Sequence, residues 1–195
     1  MSLFIESIAI IEGEPRNLSY HQERVDDTFN HHFISQPLIL QELIKGTLPE
    51  SGIKYKLRVV YGEKSHYLEY IPYQLRPIQR LKVIHSDVEY SYKYEDRTEL
   101  SDLREGLSKN EDILIVKEGL VTDSSYSNLV FKKGNEWYTP ATPLLEGTKR
   151  AKLLDEGRII PKDIHMDSIR SYESVGLINS MIDLGEVIIS PESIS

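Results

Sequence analysis

The 195 residues are 39% hydrophobic and 28% charged, an ordinary globular composition with length for one large domain or two small ones. Asp and Glu outnumber Lys and Arg by 31 to 23, giving a net charge of −8, which speaks against a broad nucleic-acid surface and fits a protein that handles a small molecule. No cysteine is present, so disulfides and thiolate metal sites are excluded; no secretory leader pattern opens the chain and no apolar run approaches the roughly 18 residues that span a bilayer, so a cytoplasmic protein is expected.

In chain order, "LFIESIAI" is apolar, β-branched and partly alternating, which predicts a strand over Leu3 to Ile10. "EGEPRN" is turn chemistry, and Ser19 is placed to cap a helix through "YHQERVDDTFNHHF". "QPLILQELIKG" predicts a second helix, with Pro37 near its start and Gly46 past its end. "IKYKLRVVYG", "SHYLEYIPY" and "LRPIQRLKVI" predict three strands, mostly antiparallel. After a switch near "HSDVEYSYKYEDR", "TELSDLREGLSKN" predicts a helix on Leu100, Leu103 and Leu107. "DILIVKEG", "SNLVFKKGN" and "EWYTP" predict a β-meander turning at Gly119 and Gly134. "LEGTKRAKLLDEG" predicts a helix stopped by Gly157, and "VGLINSMIDLGEVIIS" a strand, a loop and a short strand. The class is α+β, in two halves joined near residues 85 to 92.

Several residues could carry chemistry. Asp123 is a lone acid before a Ser/Tyr/Asn cluster; a turn acid needs no ligand, but a buried one needs a cation or several donors. A protonated pyridine nitrogen would serve as that cation. Lys93, between Tyr92 and Tyr94, is either a solvated strand lysine or, facing inward, an amine nucleophile or base. Gly147, Thr148 and Lys149 open a helix whose N–H groups could take a phosphate, though a plain helix start needs none. Arg24 could clamp the same anion or be a surface arginine, and Asn179 and Ser180 add small donors. The vicinal pair His31 and His32 makes a poor chelate on a helix, and His85 with Asp87 lacks a third triad member. No metal site, phosphate-binding loop or dinucleotide fingerprint is read.

"LVTDSSYSNLVFKKGNEWYTP" followed by "LLEGTKR" resembles the signature of the class IV aminotransferases, the fold-type IV pyridoxal-phosphate enzymes. That signature is an acid, four residues, an Asn, an apolar strand, Thr-Pro, then Leu-x-Gly-x-x-Arg. "LFIESIAIIEGEPRNLSYHQERV" is similar to the family's opening strand, turn and His-x-x-Arg helix, and "YKYEDR" falls where the family has its cofactor lysine. The resemblance implies a shortened N-terminal α/β sandwich domain over residues 1–88 and a β-rich C-terminal pseudo-barrel domain over 89–195. It places a pyridoxal 5'-phosphate site between them, in a homodimer, with no nucleic-acid or membrane partner. By position, Lys93 matches the lysine that holds the cofactor and moves protons, Asp123 the acid on the pyridine nitrogen, and Arg24 the phosphate arginine. Thr148, Lys149 and Ser180 match phosphate positions, Asn128 the Asn beside the ring, and Arg97 a position near the phenolic oxygen. Arg58 and Arg76 are candidate binders of a substrate carboxylate, and Arg58 is the one assigned to it.

Two departures stand out. Asp123 is one methylene shorter than the family's usual Glu, and Lys149 stands where many members have Thr. Lys-x-x-Asp-Arg over Lys93 to Arg97 is similar to the Lys-x-x-Asn-Arg of 4-amino-4-deoxychorismate lyases, where branched-chain aminotransferases carry Tyr in place of the arginine. The resemblance therefore implies a lyase forming 4-aminobenzoate, a folate precursor, and pyruvate. The alternatives are an aminotransferase of branched-chain or D-amino acids and a catalytically degenerate member that binds without turnover.

Overall fold

The structure, a computed structural model, describes residues 2–46, Pro49 and residues 52–195. By compactness the chain forms two interleaved units: residues up to Gln74 with Tyr92–Asp96, and Leu75–Ser91 with Arg97–Ser195. Lys93 thus belongs to the first unit and Arg97, four residues on, to the second.

The first unit contains β1 (Phe4–Ile11), β2 (Glu14–Pro15), α1 (Leu18–His32), α2 (Leu40–Leu43), β3 (Tyr55–Tyr61) and β4 (His66–Pro72). Its antiparallel sheet runs β2-β1-β3-β4. Alternation along β1 puts Phe4, Ile8 and Ile10 into one cluster with Val25 and Phe29 of α1 and with Leu57, Val59 and Tyr61 of β3. Glu6 lies in that same alternating row and is fully buried. Lys93 and Glu95 extend the pairing: Ile5 N–H donates to the Lys93 carbonyl at 2.9 Å and Glu95 N–H to the Leu3 carbonyl at 2.8 Å.

Two expectations are corrected here. Asn17, not Ser19, occupies the N-cap position of α1, without a side-chain capping bond; it sits in the left-handed region at φ 56°, a conformation Asn tolerates better than most residues. The helix expected across "QPLILQELIKG" is the single turn α2. Its lead-in is held by α1 instead: the Gln22 side chain donates to the Leu38 carbonyl at 2.7 Å and accepts from Leu40 N–H at 2.8 Å.

The second unit contains β5 (Arg80–His85), α3 (Thr98–Asp102), β6 (Glu111–Lys117), β7 (Leu120–Ser124), β8 (Asn128–Lys133), β9 (Glu136–Pro140), α4 (Thr148–Asp155), β10 (Ile160–Lys162), β11 (Ser174–Asn179) and β12 (Ile182–Ile189). Its sheet runs β10-β9-β8-β7-β6-β5, with β11 on β8 and β12 on β11. β5 pairs in parallel with β6, and β9 with β10; the other pairs are antiparallel. The expected strand over Arg80 to Ile84 is present, but it joins this sheet in parallel rather than continuing an antiparallel run; Pro77 in the preceding stretch suits no tight hairpin back to β4. The meander turns as expected at Gly119 and Gly134, both at positive φ, and α4 stops before Gly157 at φ 64°. Val130 and Ile178 of the sheet bury against Leu153 of α4 and Ile159. The helix expected over "TELSDLREGLSKN" ends at Asp102: Arg104, beyond its end, reaches to Asp112, and Gly106 turns the chain at φ 78°. β7 and β10 were not expected, and β12 has eight residues rather than being short. No helix among the described residues is long and apolar enough to cross a membrane.

Candidate active site

In the second unit the site grows from one hairpin. β7 delivers Asp123 and β8 opens with Asn128 directly opposite, across the turn Ser124 to Ser127. Ser124 closes that turn twice, its N–H donating to the Ser127 carbonyl at 2.9 Å and its Oγ accepting from Ser127 N–H at 3.0 Å. Asn128 Nδ2 donates to Asp123 Oδ1 at 2.8 Å and to the Leu145 carbonyl at 2.9 Å, while Leu145 N–H donates to Asp123 Oδ2 at 3.0 Å. Asp123 therefore links the hairpin to the segment that leads into α4. It is 5% exposed. Burial pushes its carboxyl up to about 6, against the hydrogen bonds from Asn128 and Leu145 and the charge of Arg150.

The segment before α4 is shaped around Asn128. A Cβ on Gly147 would lie 2.0 Å from Asn128 Oδ1, so close approach, not a special φ, requires glycine there. Thr148 is buried at the first helical position, and the Lys149 ammonium is ion-paired with Asp183 of β12. Arg150, the arginine that closes the Leu-x-Gly-x-x-Arg motif, is buried and donates to the Pro140 carbonyl at 2.9 Å, so it anchors the helix start to β9. Ser180 sits in the turn from β11 to β12. Its neighbour Asn179 donates to Ser127 Oγ at 2.8 Å, which ties that turn to the hairpin bearing Asp123.

Arg97 completes this half. Its Nη2 donates to the Ser125 carbonyl and its guanidinium lies 5.7 Å from the Tyr90 ring centre. Its Nε is buried with no hydrogen-bond acceptor among the described residues. Beneath it, buried Asp112 accepts from Ser125 Oγ at 2.6 Å and from Arg104 Nε at 2.7 Å. The Arg76 guanidinium stacks 4.9 Å from the Tyr126 ring centre.

In the first unit, β1 organises the predicted residues. Arg24 does not stand alone: its Nε and Nη2 grip Glu6 at 2.8 and 2.5 Å. His21, one turn earlier on the same face of α1, binds Glu6 Oε2 through Nδ1 at 2.5 Å. A carboxylate can only accept, so Nδ1 carries the proton. Burial raises the Glu6 carboxyl, but the Arg24 charge and the His21 hydrogen bond outweigh it and pull the pKa down to about 2. Burial pulls His21 down despite its bond to Glu6, and the Lys93 ammonium lies near enough to add to that. Arg58, expected to meet a substrate carboxylate, already donates to Glu95 Oε1 and to the Tyr67 hydroxyl, both at 2.8 Å.

The structure thus groups Asp123, Asn128, the start of α4 and the Ser180 turn within one unit, and Lys93 with Arg24 within the other. Sequence reasoning missed Glu6 and Asp112; each is an acid set in an apolar strand, a signal that was available. The Leu145 N–H on Asp123 leaves no trace in residue type.

Residues 93–188 match the profile of the family described as amino-transferase class IV. A Haemophilus somnus 129PT protein described as a candidate 4-amino-4-deoxychorismate lyase has a crystal structure 34% identical to this chain, with a TM-score of 0.88, covering 94% of this chain and 98% of that one. An uncharacterised Haemophilus influenzae protein is 34% identical over 180 residues, 90% of this chain and 96% of that protein. The fold is shared with a Mycobacterium tuberculosis protein described as a hypothetical aminotransferase in its PLP-bound form, at 14% identity and a TM-score of 0.76, covering 100% of this chain and 81% of that one.

Proposed function

Because this chain belongs to the class IV aminotransferase family, we propose that it is a pyridoxal-phosphate enzyme that converts 4-amino-4-deoxychorismate to 4-aminobenzoate and pyruvate. The observation that carries this reading is Asp123, a buried carboxylate at the family's acid position with hydrogen-bond donors but, among the described residues, no cation bonded to it. A protonated pyridine nitrogen is the cation that such a group accepts. The orphaned Nε of Arg97 fits as well, since a buried donor requires an acceptor such as a phenolic oxygen. The likeness to a structure described as a candidate lyase, together with arginine at position 97, favours the lyase over the aminotransferase.

When bound, the cofactor would supply an electron sink for the carbon that bears the substrate amine. In the second unit Asp123 would keep the ring nitrogen protonated and Asn128 would hold Asp123 in place. Arg97 would face the phenolic oxygen, and Thr148, Ser180 and the N–H of Lys149 would meet the phosphate. In the first unit Arg24 would add guanidinium donors to that phosphate. Lys93 would remove the proton from the amine-bearing ring carbon. The C–O bond to the enolpyruvyl group breaks as the ring becomes aromatic, and proton uptake by the departing enol yields pyruvate. Arg58 would receive a substrate carboxylate by exchanging its Glu95 partner, with Arg76 as the second arginine available for that role. The working form would be a homodimer, which sedimentation tests.

Visible absorption with added pyridoxal phosphate, comparing wild type with Lys93→Ala, tests the reading. A band from the lysine-bound cofactor in the wild type alone is expected; no band in either protein would remove it. Formation of 4-aminobenzoate from 4-amino-4-deoxychorismate without 2-oxoglutarate then separates lyase from aminotransferase. A requirement for 2-oxoglutarate would transfer the assignment to the aminotransferase.

A further inference from the structure

Glu6 is the least expected residue of β1. It shares the row of Phe4, Ile8 and Ile10, faces α1, and has no exposed surface. A carboxylate there is a costly way to gain stability, because a buried ion pair returns little more than well-packed apolar side chains of the same volume. What it provides is orientation. Oε1 accepts from Arg24 Nε at 2.8 Å and Oε2 from Arg24 Nη2 at 2.5 Å, a two-bond fork that fixes the plane of the guanidinium. Oε2 also accepts from His21 Nδ1, which ties a second point of α1 to the same group. One residue earlier on the strand, Ile5 N–H holds the Lys93 carbonyl at 2.9 Å. The same short stretch of β1 therefore sets both the register of Lys93 and the pose of Arg24, whose side chain keeps 13% of its surface exposed at the rim of this core.

We infer that Glu6 is a positioning residue for cofactor anchorage: it holds the Arg24 guanidinium in the orientation that meets the phosphate, at a fixed register from Lys93. The inference rests on the pyridoxal-phosphate reading above. Because Glu6 balances the Arg24 charge, the pair offers directed N–H donors rather than net positive charge. Lysine at position 24 would keep a charge without the fork.

The test compares binding of pyridoxal phosphate and of pyridoxal, which lacks the phosphate, to wild type, Glu6→Gln and Arg24→Lys, read by the lysine-bound absorption band with unfolding melts as the fold control. Both variants are expected to weaken pyridoxal phosphate roughly tenfold, the scale of one charge-assisted hydrogen bond, and to leave pyridoxal within about twofold. Equal losses for both ligands would reduce Glu6 to a purely structural role and overturn the proposal, as would unchanged binding of both. If Glu6→Gln does not fold, the ratio of the two affinities in Arg24→Lys decides the matter by the same criterion. A wild-type protein that forms no band with either ligand removes the cofactor reading, and this proposal with it. A wild type that binds normally beside unaffected variants removes this proposal alone.

Discussion

Glu6 and Asp123 are both buried carboxylates, each at a strand position in its own unit, yet their environments drive them in opposite directions. Around Glu6 the chain supplies a guanidinium on two bonds and an imidazole N–H on a third, and the carboxyl falls to about 2. Around Asp123 it supplies the Asn128 amide and the main-chain N–H groups of Leu144 and Leu145, with Arg150 acting only through its charge, and the carboxyl rises to about 6. Burial is common to both, so the presence of a bonded cation decides the sign. One cluster is electrostatically complete within the protein. The other is oriented but short of positive charge, which is the condition expected of a group awaiting a cationic ligand.

The largest effect should come from breaking the complete cluster. Glu6→Ala leaves Arg24 and His21 facing an apolar core without their acceptor, and removal of one member of a buried ion pair costs about 3–5 kcal/mol. Urea unfolding would measure this. A loss below about 1 kcal/mol would mean that Arg24 turns outward and that the cluster is no constraint.

Next comes the pH dependence of apoprotein stability, which should carry both signs. Glu6 has a folded pKa below its ordinary 4.5, so its contribution is present above about 4.5 and is lost as pH falls toward 2. Asp123 has a folded pKa above its ordinary 3.8, so the contribution of its proton is present below 3.8 and is lost as pH rises through about 6. Each limb amounts to roughly 3 kcal/mol, and the two run in opposite directions with pH. Glu6→Gln should flatten the acid limb and Asp123→Asn the limb that runs up to pH 6. Saturating pyridoxal phosphate should also flatten the second limb, because a cation on Asp123 lowers its pKa. Persistence of that limb in the loaded protein would count against Asp123 as the ring partner.

A third change approaches Asp123 through its support. Gly147→Ala would drive a methyl into Asn128 Oδ1, and Asn128 holds both Asp123 and the Leu145 carbonyl. Relief of that overlap should cost about 1–3 kcal/mol, read as a lower Tm, and should weaken cofactor binding. An unchanged Tm would show that Asn128 can move without releasing Asp123.

These contrasts also mark what was legible in the sequence. Hairpins came through where glycine punctuates period-2 runs, as at Gly119 and Gly134, and α4 where Gly157 ends it. The linked spacing of Asp123, Asn128 and the motif ending at Arg150 pointed to residues that the fold brings together, because it joins a hairpin to a helix start. The overestimated helices failed for a tertiary reason: Gln22 binds the backbone around Leu38, and Arg104 leaves its own segment for Asp112. Arg24 and Lys149 were visible as cations, but their partners Glu6 and Asp183 lie 18 and 34 residues away, so their engagement could not be read locally.

That engagement supplies the smallest and most discriminating change. Lys149 stands at the start of α4, and its ammonium is held by Asp183, which is 65% exposed. An exposed partner of this kind contributes only about 0.2–1 kcal/mol, so Asp183→Asn should leave stability nearly unchanged. If the side chain of Lys149 adds to phosphate binding, releasing it from Asp183 should tighten pyridoxal phosphate by about two- to fivefold and leave pyridoxal alone, with the gain shrinking as salt is added. Weaker phosphate binding would instead assign Asp183 a holding role like that of Glu6 for Arg24, and the second unit would then contain an oriented cation of its own. Either result is read from the same pair of titrations that tests Glu6, so the phosphate contributions of the two units can be compared on one scale.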